Sequence, residues 1–134
     1  MNKNIFVNLV VKDLEKSKEF FTKLGYTFNE QFTDETAACL VISENIYAML
    51  LTPEKVKQFT KKTIVDSHTA TEVAIALSCE SKEEVDEMME KVIAAGGIEA
   101  RPVEDYGFMY LKSFEDPDGH IWEIFWMDPG YVKK

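Results

Sequence analysis

Cysteine and histidine are scarce here, with two of each among 134 residues. Cys39 lies in the run Ala37-Ala38-Cys39-Leu40-Val41-Ile42 and Cys79 in Ala74-Ile75-Ala76-Leu77-Ser78-Cys79. Both are apolar settings that want a small hydrophobe, so buried free thiols in a reducing compartment are the expectation. There is no Cys-x-x-Cys, and no two of these residues stand at ligand spacing, which argues against a structural zinc site. Neither a glycine-rich phosphate loop nor a nucleophile elbow is present. Basic residues are outnumbered, 15 Lys plus Arg against 24 Asp plus Glu, and the net charge of −9 disfavours nucleic acid and anionic lipid as partners. No apolar run approaches membrane-spanning length, and Met1-Asn2-Lys3-Asn4 enters a strand-like segment without the pattern of a signal peptide, so the cytoplasm is expected.

What is present is the material of one ordinary globular domain: hydrophobic residues at 46% and charged residues at 29% leave no long segment unable to pack. Ile5 to Val11 is rich in β-branched residues and reads as a buried strand. Asp13 offers an N-cap; Leu14, Ser17, Phe20, Phe21 and Leu24 follow at helical spacing, and Gly25 supplies the stop. Tyr26 to Phe32, Ala37 to Ile42 and Ile46 to Leu51 read as three strands, and Thr52-Pro53 opens a helix to about Lys61 with Val56 and Phe59 inward. A polar linker, 62–71, separates this from a second series. Val73 to Cys79 reads as a buried strand and Ser81-Lys82-Glu83-Glu84 as a capping box. Val85, Met88, Met89, Val92 and Ile93 form one helical stripe ending at Gly96-Gly97. Ile98 to Val103, Met109 to Phe114 and His120 to Met127 are three more strands. The order predicts an α+β fold in one domain, 1–134: two βαβββ modules, 1–61 and 72–134, forming a curved mixed sheet around a cavity.

Val10-Val11-Lys12-Asp13-Leu14-Glu15-Lys16-Ser17 with Phe20-Phe21 and Leu24-Gly25 resembles the opening of vicinal oxygen chelate proteins, the glyoxalase, bleomycin-resistance and extradiol dioxygenase superfamily. Asp116-Pro117-Asp118-Gly119-His120-Ile121-Trp122-Glu123 resembles their closing turn and last strand. Within that superfamily Gly107-Phe108-Met109-Tyr110 and Trp122-Glu123-Ile124-Phe125-Trp126-Met127-Asp128 look most like small bacterial proteins described as predicted lactoylglutathione lyases. The resemblance implies four metal-ligand positions. Here they fall at Phe6, near Leu50, at Ala74 with Glu72 as the nearest substitute, and at Glu123. At most two carboxylates, Glu72 and Glu123, survive, and any divalent metal would be weakly held.

Glu123 interrupts Ile121-Trp122 and Ile124-Phe125 in a strand that reads as buried, and a carboxylate is seldom buried without a partner or a task. Facing Glu72 in an apolar cavity, it would become a candidate general base, so Glu72 and Glu123 are the catalytic candidates. Phe6, Asn8, Leu50, Tyr106 and Phe108 are the expected substrate-binding residues. His68 reads as a linker residue and His120 as a turn-flanking one. The resemblance thus implies a glyoxalase-like lyase or isomerase with an incomplete metal site, acting on a small-molecule ligand. The alternative is a metal-free protein that binds or sequesters a small molecule. A homodimer is expected under either.

Overall fold

The computed structural model describes residues 3–131, which divide into two compact units at the Val65–Asp66 bond. In the first, β1 (Ile5–Val10), α1 (Leu14–Lys23), β2 (Thr27–Asn29), β3 (Ala37–Ser43), β4 (Ile46–Leu51) and the short α2 (Pro53–Val56) follow one another. The strands form a sheet in the order β1-β4-β3-β2, with β1 parallel to β4 and the other pairs antiparallel. Asp13 caps α1, its carboxylate accepting from the Lys16 amide at 3.1 Å, and the helix buries Leu14, Ser17, Phe20 and Phe21 against β3 and β4. Strand alternation puts Leu9, Leu40, Ala48 and Leu50 on one face, and all four are buried. Each large aliphatic side chain so covered contributes about 1.5–3 kcal/mol. The opposite face carries Phe6, Asn8, Tyr47 and Met49. Its Val10–Leu51 end is covered by Val56 of α2 and by Ile64, while Phe6 and Asn8 stay exposed.

Two elements are shorter than the sequence predicts. Asn29 ends β2 because its side chain accepts from the Gln31 amide at 3.0 Å and caps a 3-10 turn, Glu30–Phe32. The helix from Pro53 stops at Val56, where Gln58 and Phe59 make three-residue turns back to Lys55 and Val56, and Phe59 points outward instead of inward.

The second unit repeats the order as β5 (Ala74–Ser78), α3 (Lys82–Ala94), β6 (Ile98–Asp105), β7 (Met109–Glu115) and β8 (Ile121–Met127), in the sheet order β5-β8-β7-β6. Strand β5 is parallel to β8. The Ser81 hydroxyl accepts from the Glu84 amide at 3.1 Å, and α3 buries Val85, Met89 and Val92 against β7 and β8, over Phe114, Trp122 and Ile124. Ile93, expected in that stripe, is exposed. Strand β5 was expected to be buried; it is a sheet edge whose small residues Ala74, Ala76 and Ser78 are exposed, and Val73 and Glu72 lie ahead of it. The chain therefore builds two βαβββ units, each a four-stranded mixed sheet with one main helix on one face.

The turn into β8 is tightly made. Buried Asp116 accepts from the amides of Asp118 (2.9 Å) and His120 (3.0 Å) with one oxygen and from the Trp122 indole (3.0 Å) with the other. Gly119 adopts φ +85°, and a Cβ there would lie 2.8 Å from the backbone of His68. These bonds fix where β8 begins, and hence which of its residues face which side.

Candidate functional site

The face of the second sheet turned away from α3 carries Ser113 of β7 and Glu123 of β8 as direct cross-strand partners, with Ala76 on the far side of Glu123. Arg101 pairs with Ser113 from the other side. Across three strands the order is therefore Arg101, Ser113, Glu123. The arginine reaches past the serine, its Nη1 donating to Glu123 Oε2 at 2.7 Å. Its Nε and Nη2 both donate to Glu104 Oε1, at 3.0 and 2.6 Å. Tyr106 in turn donates its hydroxyl to Glu104 Oε2 at 2.7 Å.

Arg101 and Glu104 are three residues apart, and in a regular strand they would point to opposite faces. The register of β6 against β7 shifts between Glu99 and Arg101 and again between Arg101 and Glu104. Pro102, which has no amide hydrogen to give a ladder, sits inside this irregularity on an edge strand. The bulged segment sets both charges on one face. Bonds from Glu123 and then Glu104 raise the Arg101 guanidinium above its already high ordinary value. The Tyr106 hydroxyl and then Arg101 hold the Glu104 carboxyl below the usual carboxylate range, and Glu104 raises the Tyr106 phenol.

Ser113 is fully buried, and its hydroxyl is the one buried side-chain polar atom without a hydrogen-bond partner among the described residues. Two carboxylates against one guanidinium leave one negative charge in excess. The sheet's other basic residue, Lys112, alternates to the α3 face, where it pairs with Asp86 at 2.8 Å.

Glu123 and Tyr106 are thus linked through Glu104 and Arg101, and Phe108 stacks between Tyr106 (6.2 Å) and Tyr131 (4.0 Å). Glu72 does not join them. It lies exposed in a bend before β5, four residues ahead of Ala76, about 13 Å along an extended chain. The expected pair of opposed carboxylates is replaced by a carboxylate facing an arginine. In the first unit, Phe6 stacks on Tyr47 with ring centroids 4.7 Å apart, and Asn8 shares its strand face. Leu50, expected to line a ligand site, is fully buried on the α1 side; Tyr47, Met49 and Leu51 occupy the alternate face. His68 packs at Gly119 and His120 belongs to the Asp116 turn. Arg101, Glu104 and Ser113 were missed in the sequence. The available signal was a triplet of charges, Glu99, Arg101 and Glu104, bracketing a proline inside a predicted strand.

A resident divalent cation does not fit these residues. No group of three His, Cys, Asp or Glu side chains that could hold a metal occurs among the described residues. The strand positions expected to supply ligands hold phenylalanine, leucine and alanine beside Glu123, and the Arg101 guanidinium already bonds one oxygen of that carboxylate.

Two mixed βαβββ units, with a carboxylate on the last strand after an Asp-Pro-Asp-Gly turn, define the class. A family model, Glyoxalase/Bleomycin resistance protein/Dioxygenase superfamily, matches residues 5–124, and the chain belongs to that superfamily. Among solved structures, it is similar to a hypothetical protein from S. aureus, at 28% identity over 93% of this chain and 94% of that one, with a TM-score of 0.78. It is also similar to a glyoxalase/bleomycin resistance protein/dioxygenase from Nocardioides, at 26% identity over 100% and 89% of the two chains and a TM-score of 0.75. The fold is shared with a genomically encoded fosfomycin resistance protein from Listeria monocytogenes, at 20% identity over 97% of each chain and a TM-score of 0.68. No curated protein matches the chain.

Proposed function

We propose that this superfamily member is a metal-independent small-molecule-binding protein whose polar recognition element is Glu123 with Arg101, Glu104 and Ser113. The observation that carries this is the 2.7 Å bond from Arg101 to Glu123: the carboxylate at the family's last-strand position is engaged by a protein cation. Around it the same face offers Phe125 and Met127 of β8 as apolar contact surface, with Tyr106 and Phe108 as further ligand contacts. Phe6 and Asn8 present a second apolar and amide surface on the first sheet. A cytoplasmic homodimer completes the reading, and light scattering on the purified protein measures that state directly. No helix is long and apolar enough to cross a membrane among the described residues.

The test is metal analysis of protein purified without chelator, combined with thermal melts before and after chelation. Substoichiometric metal and an unchanged melting temperature are expected. One tightly held metal per chain, lost in Glu123→Gln, would overturn the proposal. A lyase or isomerase reading is favoured by one feature only, a carboxylate reaching the sheet face, where it could move a proton once Arg101 leaves it. That reading requires Glu123→Gln to abolish turnover of a substrate that still binds.

A further inference from the structure

We infer that the ligand carries a protonated amine, or another organic cation with N–H donors, and that its charged head binds against Glu123 and Ser113. This rests on the small-molecule reading above and specifies its substrate class.

Two observations converge. First, the cluster is short of positive charge. Glu123 and Glu104 share a single guanidinium, Glu115 alternates onto the same face two residues along β7, and the sheet's only other cation, Lys112, lies on the opposite face. A carboxylate, phosphate or phosphonate would meet net negative charge, in a chain whose overall charge of −9 repels anions further. A cation meets the complement. Second, the Ser113 hydroxyl is buried beside this cluster with no partner, and a buried polar atom in that state is costly until something bonds to it. Glu123 stands directly opposite Ser113 across the strand pair, and Arg101 bonds its Oε2. A hydroxyl without a partner opposite a carboxylate is a pair that an ammonium, with its three N–H groups, can bond at once.

The arginine explains how the head reaches them. Arg101 holds Glu104 with two bonds and Glu123 with one. When the ligand's ammonium displaces the single Nη1 bond, Arg101 remains fixed by Glu104 and charge balance at Glu123 is kept. The guanidinium thus acts as an internal stand-in for the ligand head. Phe125 and Met127, on the same strand face as Glu123, meet the apolar body.

The experiment uses three probes with the same aromatic ring and similar chain length: phenethylamine, phenethyl alcohol and phenylpropionate. Binding to the isotope-labelled full chain is followed by amide shift mapping and calorimetry. The amine is expected to bind tightest, to shift residues 101, 113 and 123, and to weaken as salt is raised. Glu123→Gln should weaken it by about tenfold or more, since a hydrogen bond to a charged group is lost. Ser113→Ala should weaken the amine several-fold while leaving the free protein as stable as the parent or more so, a pairing that a merely structural serine would not produce. If the alcohol or the propionate binds that face as well as the amine does, the cation preference is overturned while the small-molecule reading stands. If the amine binds but Glu123→Gln leaves its affinity unchanged, the placement of the head is overturned. If none of the three shifts that face, both readings fall.

Discussion

Replacing Asp116 by asparagine tests the claim that the turn into β8 is held by a carboxylate and not by shape alone. Asp116 is 5% exposed, one oxygen serving two backbone amides and the other the indole of Trp122, itself 1% exposed. An asparagine that keeps the two amide bonds must turn its own NH2 toward the indole N–H, so two donors meet and a buried donor is left without an acceptor. That costs about 1–3 kcal/mol. Relief of burial, the main cause that raises the Asp116 carboxyl above 3.8, offsets a part, leaving a net loss of about 2 kcal/mol. For a chain of this size the melting temperature should fall by about 6–10 °C. The decisive measurement is a double-mutant cycle with Trp122→Phe, which removes the indole donor: in that background the cost of Asp116→Asn should drop below about 1 kcal/mol. The same cost in both backgrounds would refute the argument. The pH dependence has a definite sign. Because the native carboxyl holds its proton to higher pH than the unfolded one, the native state binds more protons from about 3.8 upward. This residue's contribution to stability therefore falls as pH rises through that window and is flat above it. The charge of His120 opposes the shift, and the parent-minus-variant difference isolates it.

Other outcomes follow from the same structure. Leu50→Ala should cost about 2–5 kcal/mol in denaturant melts because its side chain is fully buried, whereas Phe6→Ala, half exposed and stacked only on Tyr47, should cost about 1 kcal/mol. Burial, helped by Glu84 and Glu80, pushes the Cys79 thiol up to about 11. Its reaction with a disulfide reagent should be slow at neutral pH, accelerate through pH 9–11, and be faster in Glu84→Gln. Gly119→Ala should destabilise by at least about 1–2 kcal/mol, because its φ of +85° disfavours a side chain and the Cβ would press on the His68 backbone; thermal melts measure it.

The long periodic elements were legible because local signals agreed: Asp13 and Ser81 start α1 and α3, and glycines follow their ends. The short ones were not. Nothing in Tyr26 to Phe32 marks where Asn29 turns its side chain onto the backbone, and Val56 ends its helix without a glycine. The site was legible in part, since Glu123 stands out as a charge in an apolar strand. Its partner did not, because Arg101 reaches it only through a bulge at Pro102, and pairing offsets across three strands are not written in local periodicity. Leu50 shows the same sensitivity: a shift of one residue separates the helix-covered face from the other. The sequence sets Glu72 at the start of a strand facing Glu123, but it lies in a bend two residues before β5 begins, at Ala74.

Each sheet joins its first strand to its last. Ile5 pairs with Ile46, 46 − 5 = 41 residues on, and Ala74 with Ile121, 121 − 74 = 47 residues on. On a ribosome adding about 5–20 residues per second, β1 would wait about 2–8 s for β4 to be synthesised. Through that interval Phe6, Leu9 and Val11 travel as an unpaired apolar edge that helix α1 can shield but not complete. The nascent chain is then most exposed to misassociation, and the arrival of Leu50, and later of Trp122, ends that exposure in each half.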